Sequence, residues 1–242
     1  MKTALITGST RGIGRAIALR LAKDGYKIIL HGIKNSPKAE EAKALIEAEG
    51  GVVEFISADL SQPDNLSELI EKAKTCDVLV LNASVQIKKA WETITIEDCS
   101  AQLNCNLVSS LVLIQASVPH MKRNGWGRIV TIGSVQETKP HPDMLVYSAS
   151  KAAQTNAAKS LALQLAQYGI TVNNVAPGVI YTDRNLEALS DLEYAKKVTA
   201  SIPVGFYGEP EDCAGIVSLL CSEDGRYITG QSIFVDGGKS VL

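Results

Sequence analysis

Short apolar runs alternate along the chain with longer segments in which apolar positions recur at helical spacing. The runs predict buried strands at residues 3–7, 27–31, 52–56, 77–81, 128–133, 170–175 and 232–235. The segments between them predict helices, the clearest at residues 15–23, 37–49, 63–74, 96–123, 147–168 and 210–221. Because strand and helix alternate throughout, we expect a doubly wound α/β fold, with a parallel sheet of about seven strands and helices on both faces.

The pattern indicates one domain that spans residues 1–242. A chain of 242 residues can bury a single large core, and we find no internal repeat, low-complexity stretch or interdomain linker. The region without a clear period lies at about 183–201, where polar and apolar residues are mixed. Because long loops near strand ends commonly cover binding sites, we expect this segment to be mobile and to cover a substrate.

Composition and charge argue against several classes of protein. The net charge of −2 and the absence of a long basic run give no reason to expect a nucleic-acid or anionic membrane partner. No stretch approaches the ~18 continuous apolar residues of a membrane span, and the first strand starts without a leader, so we expect a cytoplasmic protein. Five cysteines without a Cys-x-x-Cys pair, and only three histidines, predict reduced thiols and no metal site.

A glycine-rich turn joins the first strand to the first helix. Its sequence is Gly8-Ser9-Thr10-Arg11-Gly12-Ile13-Gly14. A strand, a glycine-rich turn and a helix in this order aim the N-terminal N–H groups of the helix at a phosphate. The Gly-x-x-x-Gly-x-Gly spacing differs from the Gly-x-Gly-x-x-Gly of the usual dinucleotide fingerprint, and a merely tight turn is the alternative.

The end of the second strand bears on which nicotinamide cofactor would bind. An acidic residue there selects the free 2′-hydroxyl of NAD, whereas this chain has Gly32, Ile33 and Lys34. Lys34 and Arg11 can instead neutralise a 2′-phosphate, which favours NADP(H) over NAD(H), unless both are solvated surface charges. Asp59, after the third strand, either reaches the adenine amino group or caps a turn.

A tyrosine and a lysine four residues apart carry the candidate chemistry. On a helix, Tyr147 and Lys151 lie on one face, one turn apart. The ammonium favours the phenolate, so we expect the pKa of Tyr147 to fall below about 10 and the phenol to exchange protons with an alcohol or ketone. Ser134 follows a buried strand and points where open α/β sheets bind ligands. Ordinary helix surface is the alternative interpretation of the pair.

A series of short motifs runs along the chain in a fixed order. The motifs are Thr7-Gly8-x-x-x-Gly12-Ile13-Gly14, Asp59-Leu60, Asn82-Ala83, Asn106-Leu107, Ser134, Tyr147-x-x-x-Lys151, Pro177-Gly178 with Thr182, and Asp236-Gly237-Gly238. With these motifs the chain resembles the short-chain dehydrogenase/reductase family over essentially its full length. The resemblance implies a Rossmann fold, a nicotinamide cofactor, and hydride exchange with a secondary alcohol or ketone.

The resemblance also implies which residues bind the cofactor. The glycine-rich turn would cradle the pyrophosphate, the residues around position 59 would flank the adenine, and those near position 180 would hold the carboxamide. The implied set is Gly8, Ser9, Thr10, Arg11, Gly12, Ile13, Gly14, Lys34, Asp59, Leu60, Asn82, Ala83, Tyr147, Lys151, Pro177, Gly178, Ile180 and Thr182.

Four residues are implied to be catalytic. Tyr147 would be the general acid/base, and Lys151 would lower its pKa and hold the nicotinamide ribose. Ser134 would hydrogen-bond the reacting oxygen, where negative charge grows as hydride arrives, and Asn106 would hold a water that continues the proton relay. The resemblance further implies a homotetramer, formed through the helices that carry Asn106 and Tyr147 and through the C-terminal strand.

The chain departs from the family pattern at positions that bear on the substrate. Ser84 replaces the usual glycine after the fourth strand. Gly133 replaces a commoner serine, and reductases of carrier-protein-bound 3-oxoacyl groups often have glycine there. Those reductases typically carry basic residues where this chain has Gly125 and Tyr168, although Arg123 is close. We therefore expect a free ketone, sugar or polyol as substrate, with a carrier-bound 3-oxoacyl group as the alternative and a non-catalytic nucleotide sensor as a further one.

Overall fold

A single parallel sheet runs through the molecule. The computed structural model describes the backbone of residues 1–242 and every side chain except those of residues 187 and 188. The strands lie in the order β3-β2-β1-β4-β5-β6-β7. They are β1 (Thr3–Ile6), β2 (Lys27–Gly32), β3 (Val53–Ser57), β4 (Val78–Leu81), β5 (Gly127–Ile132), β6 (Ile170–Pro177) and β7 (Ser232–Val235). The order reverses between β1 and β4, where open α/β sheets bind ligands.

Helices cover both faces of the sheet, so the predicted doubly wound fold is confirmed. They are α1 (Gly12–Lys23), α2 (Pro37–Ala48), α3 (Ser67–Ala73), α4 (Ile96–Leu103), α5 (Ser109–Asn124), α6 (Leu145–Leu165), α7 (Asp183–Ser190), α8 (Leu192–Ala200) and α9 (Pro210–Cys221). Helices α1, α2 and α9 pack on one face, and α3, α5 and α6 pack on the other. Along β1, Leu5 faces one core while Ala4 and Ile6 face the other. Strands buried on both faces explain the continuous apolar runs of the sequence.

Several helices begin and end at residues that the sequence marks as caps. Ser36 accepts a hydrogen bond from the Ala39 N–H at the start of α2, and Pro37 occupies the first turn. Gly125 ends α5 in the left-handed conformation, with φ 61°. A short 3₁₀ turn extends α6 to Gly169, which is also left-handed, with φ 72°.

Three predicted segments differ in detail from the structure. The helix predicted at 96–123 consists of α4 and α5 joined by a π turn at Asn104–Val108, and the segment at 63–74 starts as the 3₁₀ turn Pro63–Asn65. The segment at 183–201, expected to be a long loop, forms α7 and α8. Asp191 stabilises the start of α8 by accepting from the N–H groups of Glu193 and Tyr194. The mobility of this segment stays a prediction.

One helix passes a simple test for a membrane span. Through its π turn, the helix of residues 96–124 is long and apolar enough to cross a membrane, by length and composition alone. Its residues Leu113, Ile114 and Met121 belong to the core beneath the sheet. Packing against the sheet therefore accounts for its apolar content.

Candidate active site

A cleft of about 1110 Å³ opens at the carboxyl ends of the strands. It exceeds the ~300–1,000 Å³ of a site for one small ligand, so it has room for a dinucleotide and a substrate. Of the predicted site residues, Ser9 and Asn106 lie outside its lining. The predicted residues that line it are Gly8, Thr10, Arg11, Gly12, Ile13, Gly14, Lys34, Asp59, Leu60, Asn82, Ala83, Ser134, Tyr147, Lys151, Pro177, Gly178, Ile180 and Thr182.

The glycine-rich turn forms one wall of the cleft and fits a bound phosphate. Gly8 and Gly12 have φ of 62° and 53°, a region that favours glycine. A Cβ on Gly14 would lie 2.3 Å from the Gly8 carbonyl oxygen, so α1 approaches the turn too closely for any side chain there. The first turn of α1 contains no acidic residue, and the residue before it makes no side-chain cap. Its free N–H groups are thus available to an anion.

His31 holds this turn against the end of β2, a role that the sequence did not reveal. The Gly8 N–H donates to His31 Nδ1 at 3.0 Å, and Nε2 lies 3.1 Å from the Ala58 carbonyl oxygen. These partners fix a neutral ring that carries its proton on Nε2. Burial lowers the pKa of His31 to about 4, against a partial upward effect of the Ala58 hydrogen bond. Ser9 also belongs to this support, because its Oγ accepts from the His31 N–H at 2.9 Å.

Asn82 ties the end of β4 to the same turn. Its Nδ2 donates to the carbonyl oxygens of Thr7 and Gly8, both at 2.9 Å. The N–H groups of Asn82 and Ala83 donate to Thr7 Oγ1 at 3.0 Å. The side chain of Asn82 therefore holds the turn in shape, and the cofactor contact implied by the resemblance stays a prediction.

Basic side chains surround the cleft where β2 ends. Arg11 and Lys34 line this end, as does Lys38 at the start of α2, which the sequence analysis did not consider. Asp183, the first residue of α7, pairs with both Lys38 and Arg11. The Lys38 ammonium and the Arg11 guanidinium lower the pKa of Asp183. Asp59 accepts from the N–H and Oγ of the residue at position 61, which favours the turn-capping alternative.

Three of the four candidate catalytic side chains come together on the opposite part of the cleft. Ser134 follows β5, Tyr147 lies in the first turn of α6, and Lys151 lies one turn later. All three are at least nine-tenths buried. Lys151 Nζ donates to the Ile132 carbonyl oxygen at 2.7 Å and to Gln154 Oε1 at 3.2 Å. It lies 5.8 Å from the centre of the Tyr147 ring.

The pKa shift predicted for Tyr147 was wrong in direction. Burial raises the pKa of Tyr147 above 10, although Arg184 and the Ser134 hydroxyl act to lower it. Lys151 does not reverse the shift, because its ammonium is directed at Ile132 and Gln154. Burial also lowers the pKa of Lys151 to about 7, with a further contribution from the charge of Arg184. Removal from water disfavours both charged forms, the phenolate and the ammonium, and therefore moves the two pKa values apart.

Asn106 lies behind the cleft in the π turn. It is fully buried; its Oδ1 accepts from the Val85 N–H at 2.8 Å, and its Nδ2 donates to the Val85 carbonyl oxygen and to Ser150 Oγ. The side chain thus positions the loop after β4, and the water-binding role stays a prediction. π turns are frequent at functional sites, which fits its place beside the cleft.

Arg184 is a further charged residue of the site that the sequence did not reveal. Its Nη2 donates to the carbonyl oxygen of Ser84 at 2.8 Å and to Ser84 Oγ at 3.0 Å. The guanidinium therefore crosses from α7 to the loop after β4. Only its place two residues after Thr182, inside the segment predicted to cover a substrate, could have indicated a role.

Comparisons with known proteins agree with this arrangement. Residues 8–240 match a family model described as enoyl-(acyl carrier protein) reductase. The chain is 37% identical to glucose 1-dehydrogenase of Gluconobacter oxydans, over 99% of this chain and 92% of that one. The chain belongs to the short-chain dehydrogenase/reductase family. Members of this family are dehydrogenases and reductases acting on CH–OH or ketone groups, so the resemblance seen in the sequence is confirmed.

Solved structures of short-chain dehydrogenases/reductases superimpose closely on this one. A 3-oxoacyl-(acyl-carrier-protein) reductase from Agrobacterium tumefaciens with NADP bound has a TM-score of 0.93 and 38% identity, covering 98% of this chain and 93% of that one. A putative NAD(P)-dependent gluconate 5-dehydrogenase from Beutenbergia cavernae, with NADP bound, has a TM-score of 0.94 and 33% identity, covering 100% and 97%.

Among the side chains that the structure describes, no group of His, Cys, Asp and Glu residues is arranged to hold a metal ion. The five cysteines carry free thiols, and four of them are buried. Burial raises the pKa values of Cys76, Cys213 and Cys221 to about 12, so these thiols stay protonated at neutral pH.

Proposed function

We propose that this protein is an NADP(H)-preferring oxidoreductase that exchanges a hydride with a secondary alcohol or ketone of a free small molecule, such as a sugar or polyol. The observation that carries the proposal is the convergence of Ser134, Tyr147 and Lys151 on one cleft, beside a glycine cradle. The similarity to a glucose dehydrogenase and to a putative gluconate dehydrogenase supports a sugar-like substrate.

The nicotinamide supplies or accepts the hydride, and residues of this chain handle the proton and the charge. In reduction, Ser134 hydrogen-bonds the ketone oxygen as it gains negative charge, and Tyr147 donates its phenolic proton to that oxygen. In oxidation, the carbinol C–H leaves as hydride and the O–H proton passes to Tyr147. The raised pKa of Tyr147 keeps the phenol protonated at neutral pH, which suits a proton donor.

The adenosine end of the cleft supports NADP(H). Arg11, Lys34 and Lys38 line it, and residues 32–34 contain no acid that would select a free ribose hydroxyl. The Agrobacterium and Beutenbergia structures contain NADP. NAD(H) is the alternative cofactor.

A reductase of carrier-bound 3-oxoacyl groups is the second candidate. The similarity to the Agrobacterium reductase favours it, as do Lys122, whose ammonium lies 4.0 Å from the ring centre of Tyr168, and the neighbouring Arg123. Gly125 and Tyr168 themselves offer no charge to an acidic carrier. Turnover of a carrier-linked acetoacetyl group, compared with free acetoacetyl compounds, discriminates the two. A non-catalytic sensor has the least support, because the catalytic set is complete.

The proposal extends to assembly and location. We propose a cytoplasmic homotetramer that acts on small molecules and has no nucleic-acid partner. The net charge of −2 supports the last point, and the family resemblance supports the tetramer.

Substitution of Tyr147 by Phe tests the proposed function. With NADPH and a panel of ketones, sugars and polyols, kcat should fall by about 10²–10⁴-fold, because the proton donor is lost. The Kd of NADPH should change by less than about two-fold, because the aromatic ring stays in place. Tyr227→Phe, at a fully exposed tyrosine, is the matched control. Full turnover by Tyr147→Phe would contradict the proposed role.

A further inference from the structure

The substrate end of the cleft is positively charged. Besides Lys151, the basic residues Lys88, Lys139, Arg184 and Lys239 line the cleft. They come from the segments that follow β4, β5, β6 and β7, the half of the sheet that also carries Ser134 and Tyr147. Among the side chains that the structure describes, the acidic residues of the lining are Asp59 and Asp183, both towards the adenosine end. Asp59 is held in its own turn, and Asp183 is paired with Arg11 and Lys38. A negatively charged ligand is therefore favoured beside Tyr147.

Arg184 is the cation of this group best placed to meet a substrate. Lys88 has Asp143 at 3.7 Å, Lys139 donates to backbone carbonyl oxygens, and Lys239 donates to Ser201 Oγ. Arg184 instead has no carboxylate within ion-pair distance among the described side chains. Both of its hydrogen bonds to Ser84 come from Nη2. Of the three N–H donors on Nε and Nη1, one interacts with the Tyr147 hydroxyl, and the other two remain for a ligand.

The contact with Ser84 fixes the guanidinium in the cleft that also contains Tyr147 and Lys151. Ser84 stands where the family usually has glycine, and its hydroxyl and carbonyl oxygen anchor Arg184 at the end of β4. From there the charge of Arg184 acts on both Tyr147 and Lys151 and lowers their pKa values. The guanidinium thus lies close enough to the groups that handle the substrate proton to act on both of them.

We propose that Arg184 binds a carboxylate of the substrate, so that this enzyme acts on hydroxy acids and the corresponding keto acids. This inference rests on the proposed function and names its substrate class. A planar guanidinium with two free N–H donors matches a carboxylate in a bidentate pair. The phosphates of the cofactor offer the same kind of anion, so the test must separate the two ligands.

The first experiment measures binding without turnover. Oxidised NADP and a keto acid cannot react, so calorimetric titration of keto acids into the enzyme saturated with NADP⁺ reports binding alone. Keto acids should bind more tightly than their methyl esters in the wild type. Arg184→Gln should weaken keto-acid binding by about 10- to 100-fold, as expected for lost hydrogen bonds to a charged group, and should leave ester binding within about three-fold. Arg184→Lys should recover part of the loss.

The second experiment measures kcat/KM with NADPH for the same acids and esters. Arg184→Gln should lower kcat/KM about 10- to 100-fold more for the acids than for the esters, because the esters report only the loss of its charge near Tyr147 and Lys151. Arg226→Gln, at an exposed arginine outside the cleft lining, should lower kcat/KM for neither. Equal losses of kcat/KM for acids and esters would overturn the inference. A rise in the Kd of NADPH that matches the loss of kcat/KM would also overturn it, because the anion bound by Arg184 would then be a cofactor phosphate. Arg184-dependent binding of keto acids without turnover of any ketone would support the inference and refute the proposed function.

Discussion

Lys151 is a buried cation whose position depends on a chain of polar residues. Gln154 Oε1 accepts from Lys151 Nζ at 3.2 Å, and Gln154 Nε2 donates to Ser110 Oγ at 3.2 Å. Ser110 Oγ in turn donates to the carbonyl oxygen of Asn106 at 3.2 Å. Gln154 and Ser110 are both buried. The hydrogen-bond chain joins the ammonium to the π turn and makes Gln154 a positioning residue for Lys151.

Two substitutions at Gln154 should shift the pH profile in opposite directions. Gln154→Leu removes an acceptor of the ammonium, so the pKa of Lys151 should fall below about 7. Gln154→Glu places a carboxylate there, which should raise that pKa. We expect the apparent pKa on the corresponding limb of kcat/KM against pH to move down and up, respectively. Gln164→Leu, at an exposed glutamine in the last turn of α6, should leave the profile unchanged. The same pKa in both Gln154 variants would exclude this role.

For single residues, the sequence predicted which side chains meet at the site better than it predicted their pKa shifts or their distant partners. The spacing of Tyr147 and Lys151 indicated one helix face, and the structure brings both to the cleft with Ser134. The direction of the pKa shift was missed because it depends on burial, which residue spacing does not report. Arg184 was missed because its partner Ser84 is 100 residues away in the chain.

Gly133 shows the opposite error: a residue that was linked to function is explained by packing. The family resemblance linked this glycine to the substrate of carrier-protein reductases. In the structure, a Cβ at Gly133 would lie 2.5 Å from Glu137 Oε2 and 2.7 Å from the side-chain amide of Asn174. Glu137 accepts from Asn174 Nδ2 at 2.9 Å, which keeps it in that space. Packing therefore accounts for the glycine, and it carries no information about the substrate.

Among the elements, α7 connects the segment of residues 183–200 to the cofactor end of the cleft. Its first residue, Asp183, pairs with Arg11 of the glycine-rich turn and with Lys38 of α2. The base of the segment is fixed by hydrogen bonds from the Tyr181 N–H to the Gly208 carbonyl oxygen and from the Gly208 N–H to the Val179 carbonyl oxygen. The Asp183 carboxylate is thus paired with Arg11 and Lys38, two cations that we propose bind the 2′-phosphate of NADP(H).

Removal of this carboxylate should favour NADPH specifically. In Asp183→Asn, Arg11 and Lys38 no longer share their charge with a competing anion, so NADPH should bind about three- to five-fold more tightly, as expected for one partly exposed ion pair. NADH, which lacks the 2′-phosphate, should change by less than about two-fold. Fluorescence titration at one ionic strength measures both. Glu193→Gln removes a charge from α8, where its partner is Lys196, and should alter neither; equal changes for both cofactors would contradict the competition.

The strands and most of the helices were predictable because burial produces a clear apolar pattern. The errors lie where burial or that pattern gives a weaker signal. Strands buried on both faces give continuous apolar runs, and helices that cover a sheet give a clear helical period. The π turn at Asn104–Val108 leaves that period almost unchanged, so the sequence predicted one continuous helix. Helices α7 and α8 have fewer core contacts and depend on caps such as Asp191, which composition alone does not distinguish from a polar loop.

At the scale of the whole molecule, the surface carries apolar side chains that the fold does not use. Leu163 on α6 is 86% exposed, and Ile96 at the start of α4 is 80% exposed. The outward face of α6 also presents Ala149, Ala152 and Asn156, which permit close approach of a second helix. These helices are the ones through which the family resemblance implies contact between subunits. The apolar pattern of the chain predicts the fold. Assembly depends instead on exposed positions such as these, for which that pattern predicts no partner.

Substitution of Leu163 by Glu should therefore dissociate the proposed homotetramer. A carboxylate forced into an apolar contact between two α6 helices would lose its hydration without gaining a partner, which costs several kcal/mol. Sedimentation velocity should give a tetramer for the wild type and a smaller species for Leu163→Glu, with the same far-ultraviolet circular dichroism. Leu45→Glu makes the same change on α2, on the opposite edge of the sheet, at a leucine that is 42% exposed, and should remain tetrameric. A monomeric wild type, or a tetrameric Leu163→Glu, would exclude α6 as the contact, because an exposed glutamate on a free helix surface has no such effect.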